Sequence, residues 1–310
     1  MRTWTGLIFA LALGASALLG CSDSAESVDP IEGFDPLEGI GTVELVADGF
    51  IFTEGPTWRA AEQRLLFTDI PASTIYALTP PDDVTPINQD SGDANGLDSD
   101  VNGLLLAAEH ANRRVSRTLE DGTTVTVASE YMGDSLNSPN DIAVRSDGTI
   151  YFTDPPYGIN ASVEQELDFN GVFRVAPNGA LTAEWEGELS SRPNGLVLSP
   201  RERFLYVANT VEAVMVFDVA ADGSLGNERP FVDPLPSADG MAMDTGGNLY
   251  VATATGVQVF DPEGNLWGTI EVPDNRVPAN CAFGGEDART LYITARAGLY
   301  QVRLMRPGLY

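Results

Sequence analysis

An all-β, six-bladed propeller is the architecture this sequence predicts, from two observations: a hairpin unit that recurs, and the period at which it recurs. The unit is clearest in residues 138–158, SPNDIAVRSDGTIYFTDPPYG. A polar head (Asn140, Asp141) leads into a short apolar run, a Ser146-Asp147-Gly148 turn and a second β-prone run, the signature of a β-hairpin. Matching heads stand at Glu54, Asn95, Asn194, Asp239 and Asn280, each followed by the same strand, turn and strand. The steps between heads are 41 residues (54 to 95), 45 (95 to 140), 54 (140 to 194), 45 (194 to 239) and 41 (239 to 280). A blade of four short strands occupies about 40–50 residues. Blades cannot bury their faces singly, so six of them form one domain, residues 42–310.

Taken in order, residues 1–20 read as a signal peptide. Arg2 supplies a positive start, Leu7 to Leu19 an apolar run too short to span a bilayer, and Leu18-Leu19-Gly20-Cys21 a small-residue cleavage site. The LLGC run resembles the lipobox of bacterial lipoproteins. That resemblance implies cleavage before Cys21, a lipid on its thiol and, with Ser22 following, the periplasmic face of the outer membrane. Residues 21–41 carry six acidic residues and no basic one, and are expected to form a solvated tether. Thr42 to Ala47 reads as a strand. The last unit supplies only three strands, Cys281 to Phe283, Thr290 to Thr294 and Leu299 to Leu304, so the N-terminal strand is predicted to complete it as its outer member. The long step after Asn140 places an insertion at residues 157–170, a surface loop starting beside Asp154 and Tyr157.

Composition excludes several function classes. The net charge of −28 repels nucleic acid and anionic lipid, leaving the N-terminal lipid as the sole membrane contact. All 17 basic residues are arginines, which rules out Schiff-base chemistry and a phosphate-loop lysine. With Cys21 acylated, Cys281 has no partner and a structural disulfide is not expected. A monomer is the expected state.

Innermost strands of a propeller run side by side around its axis, so the six heads are predicted to ring one mouth of the channel. Each offers a side-chain oxygen, and none is His or Cys. An oxygen-only set of two carboxylates and four amides suits a hard cation. Ca²⁺ fits better than Mg²⁺, and zinc would prefer His or Cys. The competing reading is that an Asn or Asp before Gly merely makes a turn.

Six ordered segments carry a family resemblance: Thr53-Glu54-Gly55-Pro56, Ser138-Pro139-Asn140-Asp141, Thr153-Asp154-Pro155-Pro156-Tyr157-Gly158, Arg192-Pro193-Asn194-Gly195, Asp239-Gly240-Met241 and Asn280-Cys281-Ala282-Phe283-Gly284-Gly285. Together they resemble the calcium-dependent lactonases of the gluconolactonase and regucalcin family, more distantly diisopropylfluorophosphatase and the paraoxonases. The resemblance implies one Ca²⁺, or another divalent cation, held by Glu54, Asn140, Asn194 and Asp239. It leaves Asn95 and Asn280 as substrate contacts or supports of the ligands. One departure is Ser138, where mammalian regucalcin-type members carry an Arg that contacts the sugar lactone. Glu109-His110-Ala111-Asn112-Arg113-Arg114 resembles the EHGNRR run of bacterial members. His110 lies a strand length past Asn95, which is expected to carry it away from the ion; with Asp154 and Tyr157 it is a candidate substrate contact.

The function implied is hydrolysis of a lactone or related small ester, with Ca²⁺ polarising the carbonyl and Asp239 as the catalytic carboxylate. A carboxylate bound to Ca²⁺ is a weak base, which leaves direct attack by Asp239 or a separately activated water open. The alternatives are a phosphotriesterase using the same ion, and a non-catalytic tethered binding propeller.

Overall fold

The computed structural model describes residues 1–2, 35–159 and 164–310. Cys21, the expected acyl acceptor, and most of the expected signal peptide and tether lie outside the described residues. The structure is nearly all β: six four-stranded antiparallel sheets, one small hairpin and two single 3₁₀ turns among the described residues.

From the innermost strand outward, blade 1 is Thr53–Arg59, Arg64–Asp69, Thr74–Thr79 and Asp83–Asn88. Blade 2 is Ala94–Ser99, Leu105–Glu109, Arg114–Thr118 and Thr124–Ala128. Blade 3 is Ile142–Val144, Ile150–Asp154, Asn170–Val175 and Leu181–Gly187. Blade 4 is Pro193–Leu198, Phe204–Asn209, Ala213–Val219 and Leu225–Val232, and blade 5 is Met241–Met243, Leu249–Thr253, Gly256–Phe260 and Leu266–Ile270. Blade 6 has Asn280–Gly284, Thr290–Ala295 and Gly298–Arg303, with Glu44–Asp48 antiparallel on its outer edge. The predicted closure by an N-terminal strand is therefore present. That strand pairs Glu44 with Gln301 and Asp48 with Gly298, with an irregularity between Leu45 and Ala47.

The core lies between blades, and strand alternation puts it there. Successive side chains of a strand point to opposite faces, so the second strand of each blade serves both neighbours. Leu65 and Phe67 pack toward blade 6 against Tyr292 and Leu299, whereas Leu66 packs toward blade 2 against Leu97 and Ala107. Phe152 joins blade 2, and its neighbour Tyr151 joins blade 4. Each of the six clusters spans two adjacent blades, and the cluster uniting blades 6 and 1 completes the circle.

One expectation needs correcting. The end of the supposed tether is docked: Leu37 and Ile40 pack on the cluster between blades 5 and 6, and the Gly41 N–H donates to the Arg303 carbonyl at 2.9 Å. Leu37 and Ile40, apolar side chains in an otherwise acidic stretch, find a hydrophobic surface within reach.

Candidate active site

The heads stand where the innermost strands begin, and neighbouring blades touch there. The Gly96 N–H donates to the Asn140 carbonyl at 2.7 Å and the Gly240 N–H to the Ala279 carbonyl at 2.8 Å. Thr68 Oγ1 reaches the Asn95 carbonyl at 3.0 Å, and Thr153 Oγ1 the Asn194 carbonyl at 2.7 Å, each across a blade boundary. Asn95, Asn194 and Asn280 lie inside strands, so these heads are not turns. The glycines that follow provide closeness instead. A Cβ at Gly55 would fall 1.9 Å from the Asn95 carbonyl oxygen, and one at Gly240 1.9 Å from Asn280 Cγ. Glu54, Asn95, Asn140, Asn194 and Asn280 are buried around this mouth, while Asp239 keeps part of its surface open to solvent.

Three acids share the field at this mouth. Glu54 accepts the Gly55 N–H at 2.8 Å, yet burial pushes its carboxyl up to about 7, against the pull of Asn280 and Arg296. Burial also holds the Asp239 carboxyl well above the ordinary carboxylate range, reinforced by the like charges of Glu54 and Asp141 and opposed by Arg296 and Asn194. Asp141 is raised likewise, first by burial and then by Glu54. Desolvation and like charge both disfavour ionisation, so this mouth carries more buried acid than it can neutralise. Among the described residues no three His, Cys, Asp or Glu side chains stand as a metal-binding group. A cation here would draw on a mixed set of carboxylate and amide oxygens.

His110 is not carried away from the ring. Its strand runs antiparallel to the innermost one, pairing Ala94 with Glu109, so the hairpin returns the chain to the mouth. His110 Nε2 sits 3.4 Å from Asn95 Nδ2, and burial drops its pKa to about 4, so the imidazole is neutral at pH 7. Tyr157 is half-exposed, with its hydroxyl 3.2 Å from Thr210 Oγ1, which also accepts from Asn194 Nδ2 at 3.1 Å. Its phenol feels the charge of Asp239, which places it at the ring.

Asp154 is fully buried and faces its own blade. Its Oδ2 accepts the Asn137 N–H at 2.7 Å, and burial raises its carboxyl to about 7. Asp69 and Asn209 occupy the same strand-end position in blades 1 and 4, accepting the Phe52 N–H at 2.9 Å and the Arg192 N–H at 2.8 Å. The shared position marks Asp154 as an anchor for the segment leading to Asn140. Arg113 donates to the Leu136 and Asn137 carbonyls and pairs with Glu166, while Arg114 pairs with Glu109. At the insertion, Gly158 packs between Ser138 and His110, and Leu167 and Phe169 are buried in the core; residues 160–163 lie outside the described residues.

Two residues at the mouth were given no role in the site from the sequence: Asp141, named only as part of a head, and Arg296. Asp141 stands where blades 1, 2, 4 and 5 keep Gly55, Gly96, Gly195 and Gly240 and blade 6 has Cys281. A Cβ at Gly96 would fall 2.4 Å from Asp141 Oδ1, so the missing side chain of one blade leaves room for the acid of the next. An acid in register with glycines was the available signal. Arg296 directly follows Thr290–Ala295, the second strand of blade 6, as His110 follows that of blade 2, and its residue type carried no signal.

On the far side of the ring a cavity of about 690 Å³ is lined by Trp58, Leu97, Leu196, Met241 and Phe283, with Asp141 and Asn280 also on its wall.

The chain is 34% identical to the gluconolactonase of Zymomonas mobilis, covering 84% of this chain and 81% of the relative. It is 27% identical to the pentonolactonase XacC of Haloferax volcanii, over 79% and 81% of the two chains. Among solved structures it is similar to XC5397 of Xanthomonas campestris, a gluconolactonase, with 32% identity, a TM-score of 0.78 and coverage of 85% and 90%. Residues 52–297, which take in all six heads, match the model of the SMP-30/gluconolactonase/LRE-like region, and the chain belongs to that family.

Proposed function

We propose that this protein hydrolyses sugar lactones at the ring of heads, with a divalent cation, Ca²⁺, as its cofactor. The observation that carries the reading is the ring itself: buried Glu54, Asp141 and partly open Asp239 share one mouth with four asparagines, in a chain a third identical to a gluconolactonase. The donor chemistry fits a hard cation. Every head supplies oxygen, and burial raises the three carboxyls, with the charge of Glu54 adding to the rise of Asp141 and Asp239.

Glu54, Asp239, Asn140 and Asn194 would hold the ion, which when bound supplies Lewis-acid polarisation of the lactone carbonyl. The protein's own groups do the rest. Asp239 is the catalytic carboxylate, because it combines a place in the ring with access to solvent. Asn280 supports Glu54 and Asp141, whose carboxyls it hydrogen-bonds. Asn95 and neutral His110 offer adjacent hydrogen-bonding atoms to substrate hydroxyls, and the Tyr157 hydroxyl does so from across the mouth. Asp154 acts through the backbone it anchors rather than on substrate. Cell-envelope location through a lipid on Cys21, with the propeller acting as a monomer, completes the reading; the LLGC run supports it.

A substrate panel tests this. Turnover of an aldonolactone, an aliphatic lactone, an aryl ester and an organophosphate is compared by pH-stat. Preference for the aldonolactone by at least tenfold in kcat/KM is the expected result. Preference for the organophosphate moves the protein to the phosphotriesterases, and no turnover of any makes it a binding propeller.

A further inference from the structure

Arg296 differs from the other arginines near this mouth. Arg113 and Arg114 are in ion pairs, Arg276 pairs with Asp48, and Arg192 donates to the Leu189 and Ser191 carbonyls. The Arg296 guanidinium makes no ion pair or hydrogen bond among the described residues. It lies 4.9 Å from the centroid of the Phe52 ring. A cation–π contact occupies none of the guanidinium's five N–H donors, so they remain available.

Its backbone is fixed independently of the side chain. Arg296 has φ +55°, and its carbonyl accepts the Thr53 N–H at 2.7 Å and Thr53 Oγ1 at 3.0 Å. Thr53 precedes Glu54, so the turn carrying Arg296 is tied to the first head of the ring. The guanidinium is close enough to act electrostatically on both Glu54 and Asp239.

We propose that Arg296, held over the Phe52 ring, is the product-recognition and specificity residue of the site, binding the carboxylate that forms when a neutral lactone opens. The inference rests on the lactonase reading and deepens it. Ring opening adds water across the acyl C–O bond. The carbonyl carbon gains the water oxygen, the ring oxygen leaves as a hydroxyl with one proton, and the second proton is released to leave a carboxylate. A neutral substrate thus becomes an anion, and a cation that holds no hydrogen-bonded ion pair among the described residues before the reaction gains a planar, bidentate partner during it. Because the guanidinium favours the charged state over the neutral one, it lowers the barrier and not merely KM.

Calorimetric titration of the full-length, Ca²⁺-supplemented protein with gluconate and with the neutral gluconolactam tests this, for wild type, Arg296→Gln, Arg296→Lys and Phe52→Leu. Lactone turnover by wild type and by each variant is measured alongside. Arg296→Gln is expected to weaken gluconate binding at least tenfold while leaving gluconolactam within about twofold, and to lower kcat more than it raises KM. Arg296→Lys, which keeps the charge but not the fork, and Phe52→Leu, which keeps the fork but not its support, are expected to fall in between. Equal gluconate affinity in wild type and Arg296→Gln, with wild type active on lactones, overturns the inference and leaves the lactonase reading standing. So does equal weakening of both ligands, which would mark a merely structural role. A wild type that opens no lactone overturns the reading beneath it. Thermal unfolding checks each variant's fold, and unchanged Tm is expected for Arg296→Gln because the carbonyl contacts remain.

Discussion

Two ring acids are expected to respond differently to losing their charge. Asp239→Asn keeps an oxygen for the cation but removes the catalytic carboxylate, and should lower kcat about 10²–10⁴-fold with a smaller loss of Ca²⁺ affinity. Glu54→Gln removes one ligand charge, and its defect should be largely restored by excess Ca²⁺. Equal losses, both rescued by calcium in activity titrations, would reduce Asp239 to a ligand. The raised carboxyls also set a pH dependence. Glu54 is lifted from 4.5 to about 7, so in chelator-treated protein its contribution to stability is full below its unfolded pKa and is lost as pH rises toward and through 7. Asp141 and Asp239 shift in the same direction. His110, lowered to about 4, has the opposite sign: its contribution is full above 6.5 and is lost as pH falls from 6.5 to 4. With three acids against one imidazole, Tm without Ca²⁺ should fall between pH 5 and 7.5. The gain in Tm on adding Ca²⁺ should be larger at pH 7.5 than at pH 5, and reduced in Glu54→Gln; a gain independent of pH would contradict the cluster of raised acids.

The hairpin is the element that builds the site, and its legibility was uneven. The head of each inner strand recurs at a fixed offset from a turn, so Glu54, Asn140, Asn194 and Asp239 could be read as a ring before any coordinates. The three-strand last unit likewise called for Glu44–Asp48 on its edge. His110 was misplaced because distance was counted along the strand, whereas antiparallel pairing of Ala94 with Glu109 brings the strand's end back to its partner's beginning. Asp141 was hidden by its neighbour Asn140, and Arg296 by lying on a turn whose proximity to Thr53 depends on ring closure. Two substitutions probe these elements. Gly240→Ala places a Cβ 1.9 Å from Asn280 Cγ and should cost about 1–3 kcal/mol. Differential scanning calorimetry would show that as a Tm lower by roughly 2–4 °C per kcal/mol. Removing residues up to Asp48 uncovers the edge at Gly298–Arg303, and should lower Tm and promote association detectable by light scattering. An unchanged, monomeric truncation would show that closure does not need this strand.

At the scale of the whole molecule, the propeller turns a one-dimensional repeat into a point of convergence. Six interfaces, each shared by two blades, hold the six heads within reach of one another, although the first and last are 226 residues apart (54 to 280). Rigid strands around the axis let buried acids stand together at a cost the interblade cores offset, and the cation proposed here relieves that cost while supplying the chemistry. The most direct test follows D-glucono-1,5-lactone opening by pH-stat at neutral pH, above the spontaneous rate, before chelation, after exhaustive EDTA treatment and after Ca²⁺ is restored. Turnover should disappear with the chelator and return with calcium in wild type but not in Asp239→Asn. Turnover that survives complete chelation, or no turnover under any of these conditions, would contradict it.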